Sequence, residues 1–219
     1  MSSQACVILD LAAIHSESEL AELCEQLAWN EETRVVVLLL DGAIESSYSR
    51  HVSQLKQPVI AAIKGDALGP CLELALACDI RIGTESSRFG LPQIREGQMP
   101  SGGGTQRLPR IIGPGKAMEM TLTGMTIDAG EACRIGLLNR VVAKENLIAA
   151  AMSIAEEMAT KSPLSLNYAK EALYSGMDLT LDQGLKMELD LYLLLFTTSD
   201  RTEGIAAFKE KRPPEFKGI

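Results

Sequence analysis

The chain has 219 residues with 46% hydrophobic and 23% charged side chains, enough apolar material for one globular domain with a helical extension and too much for a disordered tail. Its formal net charge is −8 and its pI is near 4.9, which argues against binding nucleic acid through the phosphates, a mode that draws on a basic surface. Aromatic residues are only 4%, too few for rows of base-stacking rings, so an aliphatic core is expected.

Met1-Ser2-Ser3-Gln4 shows neither a basic nor an apolar leader segment, and no apolar run approaches the ~18 residues of a spanning helix. A soluble, cytoplasmic protein without a membrane partner is the expectation. Cys6, Cys24, Cys71, Cys78 and Cys133 form no CxxC pair and lie mainly in apolar company, so buried thiols are expected rather than disulfides or zinc ligands. His15 and His51 are the only histidines, and no metal site is expected.

Cys6 to Leu11 reads as a short strand, and Ser16 with Glu19 three residues later reads as a helix cap for a helix through about Trp29. Arg34 to Leu40 is β-branched and then leucine-rich and stops at Asp41-Gly42, the pattern of a strand buried on both faces. Pro58 to Ile63 is a second such strand, closed by Gly65. Pro70 to Cys78 suits a buried helix opened by proline, polar only at Glu73, and Asp79 to Gly83 returns to strand. Strand, helix, strand units of this kind build α/β layers. From Gly104 onward helical patterns dominate, notably Asn146 to Lys161, Ser165 to Leu173 and Asp182 to Phe196. Leu185, Leu189, Tyr192, Leu193 and Phe196 recur at helical spacing, as do apolar residues around Met118 and Met120, and this predicts core or subunit contact.

Three segments set special backbone residues beside isolated polar groups. In Gly65 to Glu73, a proline at the first helical position leaves the Cys71 amide free at the positive end of a helix, where it can donate to a developing oxyanion. Glu73 lies half a turn further in. A carboxyl group in so apolar a helix is suited to exchanging protons unless a cation pairs with it; the structural alternative is a Glu bonded to its own helix end. The other two segments are Phe89 to Gly97 and Pro100 to Leu108. The triple glycine Gly102-Gly103-Gly104 is followed by no Gly-Lys-Ser/Thr, so a phosphate loop is excluded and close packing before a helix is the ordinary meaning.

Taken together, Pro58 to Gly65 with Ala67-Leu68-Gly69, Glu73-Leu74-Ala75, Cys78 to Ile82, Gly102 to Arg110, Leu122-Thr123-Gly124, Ala132 with Gly136-Leu137, and Ala206 to Arg212 resemble, in order, the blocks of the enoyl-CoA hydratase/isomerase (crotonase) family. The resemblance runs from about Arg34 to Gly218. It implies an α/β fold, a spiral of ββα units, with a crotonase-like core over residues 1–145 and a C-terminal helical trimerisation region over 146–219. It also implies a homotrimer or hexamer acting on acyl thioesters of coenzyme A or of an acyl carrier, with no cofactor beyond the coenzyme A of the substrate.

On that resemblance Glu73 takes the place of the first of two hydratase glutamates. Gln93 takes the place of the second and can hold a water or a carbonyl without taking up a proton. Cys71 matches the second oxyanion amide, Ser101 replaces a glycine near the catalytic water, and Leu68 and Leu91 border the substrate and water pocket. Phe208 and Lys211 match positions that contact the adenine or its phosphate, often across a subunit boundary; a solvated basic tail is the alternative. Two departures stand out. The Ala-Gly-Ala-Asp loop that supplies the first oxyanion amide is absent between Leu40 and Pro58, and Leu11 to His15 replace a longer N-terminal hairpin. Either Gly42 or Ala43 donates instead, or one donor is missing, at a cost of about 3 kcal/mol of transition-state stabilisation.

The expected activity is hydration or dehydration of an enoyl thioester with Glu73 as acid/base. Double-bond isomerisation, thioester decarboxylation, and a non-catalytic homologue serving as partner subunit or coenzyme A sensor are the alternatives.

Overall fold

Parallel strands need crossovers, and the chain supplies one after each apolar run. The computed structural model describes residues 5–42, 44 and 48–219. Strand β1 (Cys6–Asp10) leads through helix α1 (Glu17–Trp29) to β2 (Val35–Leu40), and helix α2 (Tyr48–Ser53) carries the chain to β3 (Val59–Ile63). The short strand β4 (Ala67–Leu68) and helix α3 (Pro70–Leu76) follow, then β5 (Ile80–Thr84) and β6 (Arg88–Gly90). Helices α4 (Gly104–Ile112) and α5 (Pro114–Thr123), strand β7 (Thr126–Asp128), helix α6 (Ala129–Arg134) and strand β8 (Arg140–Val142) complete the sheets. The chain ends in α7 (Leu147–Ala159), α8 (Pro163–Gly176), α9 (Leu181–Leu195) and α10 (Ser199–Glu210).

The main sheet has the order β1-β2-β3-β5-β8 and is parallel throughout; β4, β6 and β7 form a smaller one, with β4 parallel and β7 antiparallel to β6. Strand alternation sorts the apolar runs into two cores. Val36, Leu38, Leu40, Ala61 and Ile63 face the side of α1 and α3 with Leu20, Leu72 and Leu76, whereas Val35, Val37, Ile60 and Ala62 face Leu147, Ala151 and Ala155 of α7. Both faces are covered, which is why these strands read as continuous hydrophobic runs.

The expected cap at Ser16 forms: its hydroxyl accepts from the Glu19 amide, and the Glu19 carboxylate accepts from the His15 amide. Strand β1 stops one residue earlier than expected because the Asp10 carboxylate accepts from the Ala12 amide and bends the chain into a 3-10 turn over Leu11–Ala13. Helix α2, unforeseen in the sequence, buries Tyr48 and Val52 in the larger core.

Of the core or subunit contact expected for Leu185, Leu189, Tyr192, Leu193 and Phe196, the core of this chain is excluded, since each is about half exposed. Met120 is buried while Met118 is exposed, being on the outer side of α5. Cys6, Cys24, Cys71 and Cys78 are buried free thiols, but Cys133 is exposed on α6. No described helix is long and apolar enough to cross a membrane.

Candidate active site

Helix α3 begins in a strained entry. Gly69 adopts φ 54° and ψ −122°, and Pro70 then takes the first helical position. The positive φ suits glycine, and proline contributes no N–H to the unpaired first turn. The Cys71 amide has no acceptor among the described residues, as expected for a free donor at this end of a helix. The Gly42 amide, at φ +97° just past β2, also has none among them. Ala43 lies outside the described residues. The two strand and helix ends are neighbours: burial pushes the Cys71 thiol up to about 12, and the Asp41 carboxylate adds to the rise. Asp41 is itself held by Lys64, Nζ to Oδ2 2.6 Å.

Glu73 lies two residues beyond Cys71 and is fully buried. Its Oε1 accepts from the Gly102 amide at 2.7 Å and the Gly104 amide at 2.9 Å, and its Oε2 accepts from Gln93 Nε2 at 3.2 Å. The acid is therefore not bare in an apolar helix; a loop of main-chain donors replaces its water. No arginine or lysine pairs with it among the described residues.

Gln93 stands in a 3-10 turn over Pro92–Glu96 that ends at Gly97 in the left-handed region. With Nε2 committed to Glu73, its Oε1 is buried and has no partner among the described residues. An ionised carboxylate only accepts, so the amide must turn its NH2 toward Glu73 and its carbonyl away. The missing side chain of Gly69 leaves room for this amide: a Cβ there stands 3.5 Å from Gln93 Nε2. Leu91 is fully buried beside Gly104 and Glu73, Leu68 is half-buried in β4, and Ser101 is exposed one residue before Gly102.

The fold thus brings Glu73, Gln93 and Leu91 together, with Cys71 on the same helix. It does not bring Phe208 and Lys211 to them within one chain. Phe208 is 86% exposed on α10, and Lys211 caps that helix at φ 56° in solvent. The donors missed in the sequence are Gly102 and Gly104, read there only as close-packing residues; glycine amides at the start of a helix are a signal for an acceptor. A cleft of about 820 Å³ between α3, α4 and α8 lies behind this loop, walled by Leu76, Asp79, Arg107, Ile111, Lys170 and Tyr174, and Glu73 is not in its wall.

Residues 40–219 match the family model described as enoyl-CoA hydratase/isomerase. A probable enoyl-CoA hydratase of Rhizobium meliloti (strain 1021) is 47% identical over 167 residues, and a crotonyl-CoA hydratase of Syntrophomonas wolfei is 42% identical over 175. These alignments take in 76% and 80% of this chain, which spans only 65% and 67% of the length of the two relatives. The crystal structure of an enoyl-CoA hydratase from Bacillus anthracis superposes with a TM-score of 0.89 at 40% identity, covering 97% of this chain and 91% of that one. By sequence and by fold, this chain belongs to the enoyl-CoA hydratase/isomerase family.

Proposed function

We propose that the protein adds water to the double bond of an enoyl-CoA thioester, with Glu73 as its acid/base. The observation that carries this reading is the buried Glu73 carboxylate, which among the described residues pairs with no cation and stands two residues after a helix-end amide that has no acceptor. The thioester oxygen accepts from the Cys71 amide and, from the rebuilt end of β2, the Gly42 amide. These fixed donors favour the charge that develops only as the enolate forms.

Water, held by Glu73 and by the carbonyl of Gln93, attacks the β carbon while Glu73 takes its proton. The C=C electron pair moves toward the α carbon and the carbonyl oxygen, and Glu73 then returns the proton to the α carbon. Gln93 has no proton to exchange, so both transfers fall to Glu73. The relatives' names, one of them a crotonyl-CoA hydratase, support a short enoyl substrate. Phe208 and Lys211 serve the coenzyme A of a neighbouring subunit in a homotrimer or a pair of trimers. In that assembly the helices after residue 145 supply the contacts, apart from α7, which seals the sheet.

The test is loss of the enoyl absorbance of crotonyl-CoA, with deuterium entering the α carbon in D2O. Turnover that falls at least about 100-fold in Glu73→Gln is expected, the range for removing a general acid or base. No water addition by the wild type, or turnover unchanged in Glu73→Gln, refutes the assignment.

A further inference from the structure

We infer that Arg107 is a positioning residue for the acid, holding the loop whose amides bind the Glu73 carboxylate; this rests on Glu73 being the acid of the proposed reaction. The carbonyl of Gly102 accepts from Ser49 Oγ at 2.6 Å and from Arg107 Nη1 at 3.0 Å, which fills both of its lone pairs. The same residue's amide donates to Glu73 Oε1, and so does the amide of Gly104. Gly103, between these donors, sits at φ +94°, and the Arg107 guanidinium occupies the space its side chain would fill.

Arg107 grips this loop at two points. Its backbone amide donates to Gly103 O at 2.8 Å as the first turn of α4 closes, and its side chain reaches back over that turn to Gly102. Nothing else claims the guanidinium: no carboxylate forms an ion pair with Arg107 among the described residues. The side chain is therefore committed to the Gly102 carbonyl, next to the amide that donates to Glu73. A rigid planar fork suits this task better than an ammonium on a flexible stem.

The consequence is a division of labour. Glu73 moves the proton, and Arg107 sets the direction of the two amides that receive the carboxylate each time the proton leaves. With the guanidinium removed, Ser49 alone holds the Gly102 carbonyl, and the loop is free to rotate its amides off Oε1.

Arg107→Met and Arg107→Lys are compared with the wild type by steady-state kinetics on crotonyl-CoA from pH 5 to 9, by thermal unfolding, and by the amide proton shifts of Gly102 and Gly104. In Arg107→Met, kcat is expected to fall about 10- to 100-fold with KM nearly unchanged, the size of effect a small misplacement of catalytic groups produces. Arg107→Lys recovers part of kcat, and both glycine amide resonances move in the direction that Glu73→Gln moves them. Unmoved glycine resonances overturn the inference, as does a loss of kcat that follows thermal stability with no recovery in Arg107→Lys. Where the wild type hydrates no thioester the proposed function has failed, and the glycine resonances still decide the role of Arg107. Should Arg107→Met not fold, Arg107→Lys and the same two resonances carry the test.

Discussion

Glu73 owes its properties to the glycines that face it. Two amides and one side-chain amide surround the carboxylate, and a Cβ on Gly104 would stand 3.0 Å from Oε1 and 3.0 Å from Leu91 Cδ1. Gln93 is the residue that most limits the chemistry, because it donates to the acid and offers only a carbonyl beyond it. Gln93→Glu sets a second carboxyl against Oε2, and two such groups cannot both ionise freely. The expected outcome is a pH–rate profile that gains a second ionisation, measured as kcat/KM for crotonyl-CoA; a profile superimposable on the wild type's counts against the placement of Gln93. The thiols give a separate test. Burial raises Cys24 to about 11 and Cys71 and Cys78 to about 12, so all three stay protonated and inert near neutral pH, whereas Cys133 is exposed. Iodoacetamide at pH 8 is expected to label Cys133 alone among these four until denaturant is added, as read by peptide mass spectrometry.

Among the elements, the last helix and the tail after it depend most on ionised groups. Asp200 is buried and accepts from Ser162 Oγ, the Lys217 amide and the Gly218 amide, while Arg34 of the sheet region donates to the carbonyls of Ala159 and Phe216. On the outer side, Arg212 and the Glu215 amide hold the Glu203 carboxyl well below the usual carboxylate range, at about 2 against 4.5. A carboxylate with a depressed folded value stabilises above the unfolded value and loses that contribution as pH falls through the folded one. The contribution of this carboxylate to stability is therefore complete above about pH 4.5 and is lost as pH falls toward about 2. The Glu215 amide resonance is expected to titrate near the lower value and to become insensitive in Glu203→Gln. A midpoint near 4.5 in the wild type would show that Arg212 does not hold the carboxyl in solution.

Taken as a whole, the molecule leaves one of its longest helices uncovered. Leu181, Leu185, Leu189 and Tyr192 of α9, with Leu173 and Met177 at the end of α8 and the turn after it, are exposed in a single chain. Isolated apolar residues are ordinary on a surface, but a contiguous set on adjoining helices marks an interaction surface. Leu189→Glu is expected to shift the sedimentation coefficient from that of an oligomer to that of a monomer while the circular dichroism stays unchanged. If Phe208 and Lys211 serve a neighbour's site, the same variant raises KM for the coenzyme A thioester. A wild-type chain that sediments as a monomer would remove the assembly and the role of those two residues together.

The parallel strands, the proline-opened helix and the free amide of Cys71 were legible in residue order, because buried strands and helix starts are written in local patterns of a few residues. The family was legible too, from blocks whose order chance does not reproduce. What residue order did not reveal was the partner of each polar group. Gly102 and Gly104 lie far along the chain from Glu73, and Ser49 and Arg107 meet at one carbonyl from two different helices. Helix α2 and the short strands of the second sheet were likewise invisible, being too brief for any periodicity and held by neighbours distant in sequence. Whether an apolar helix turns inward or stays bare is a matter of what else the fold places against it: α7 packs on the sheet, whereas the leucines of α9 stay exposed among the described residues. Local patterns set which elements form; long-range contacts, which no local pattern encodes, set which groups meet.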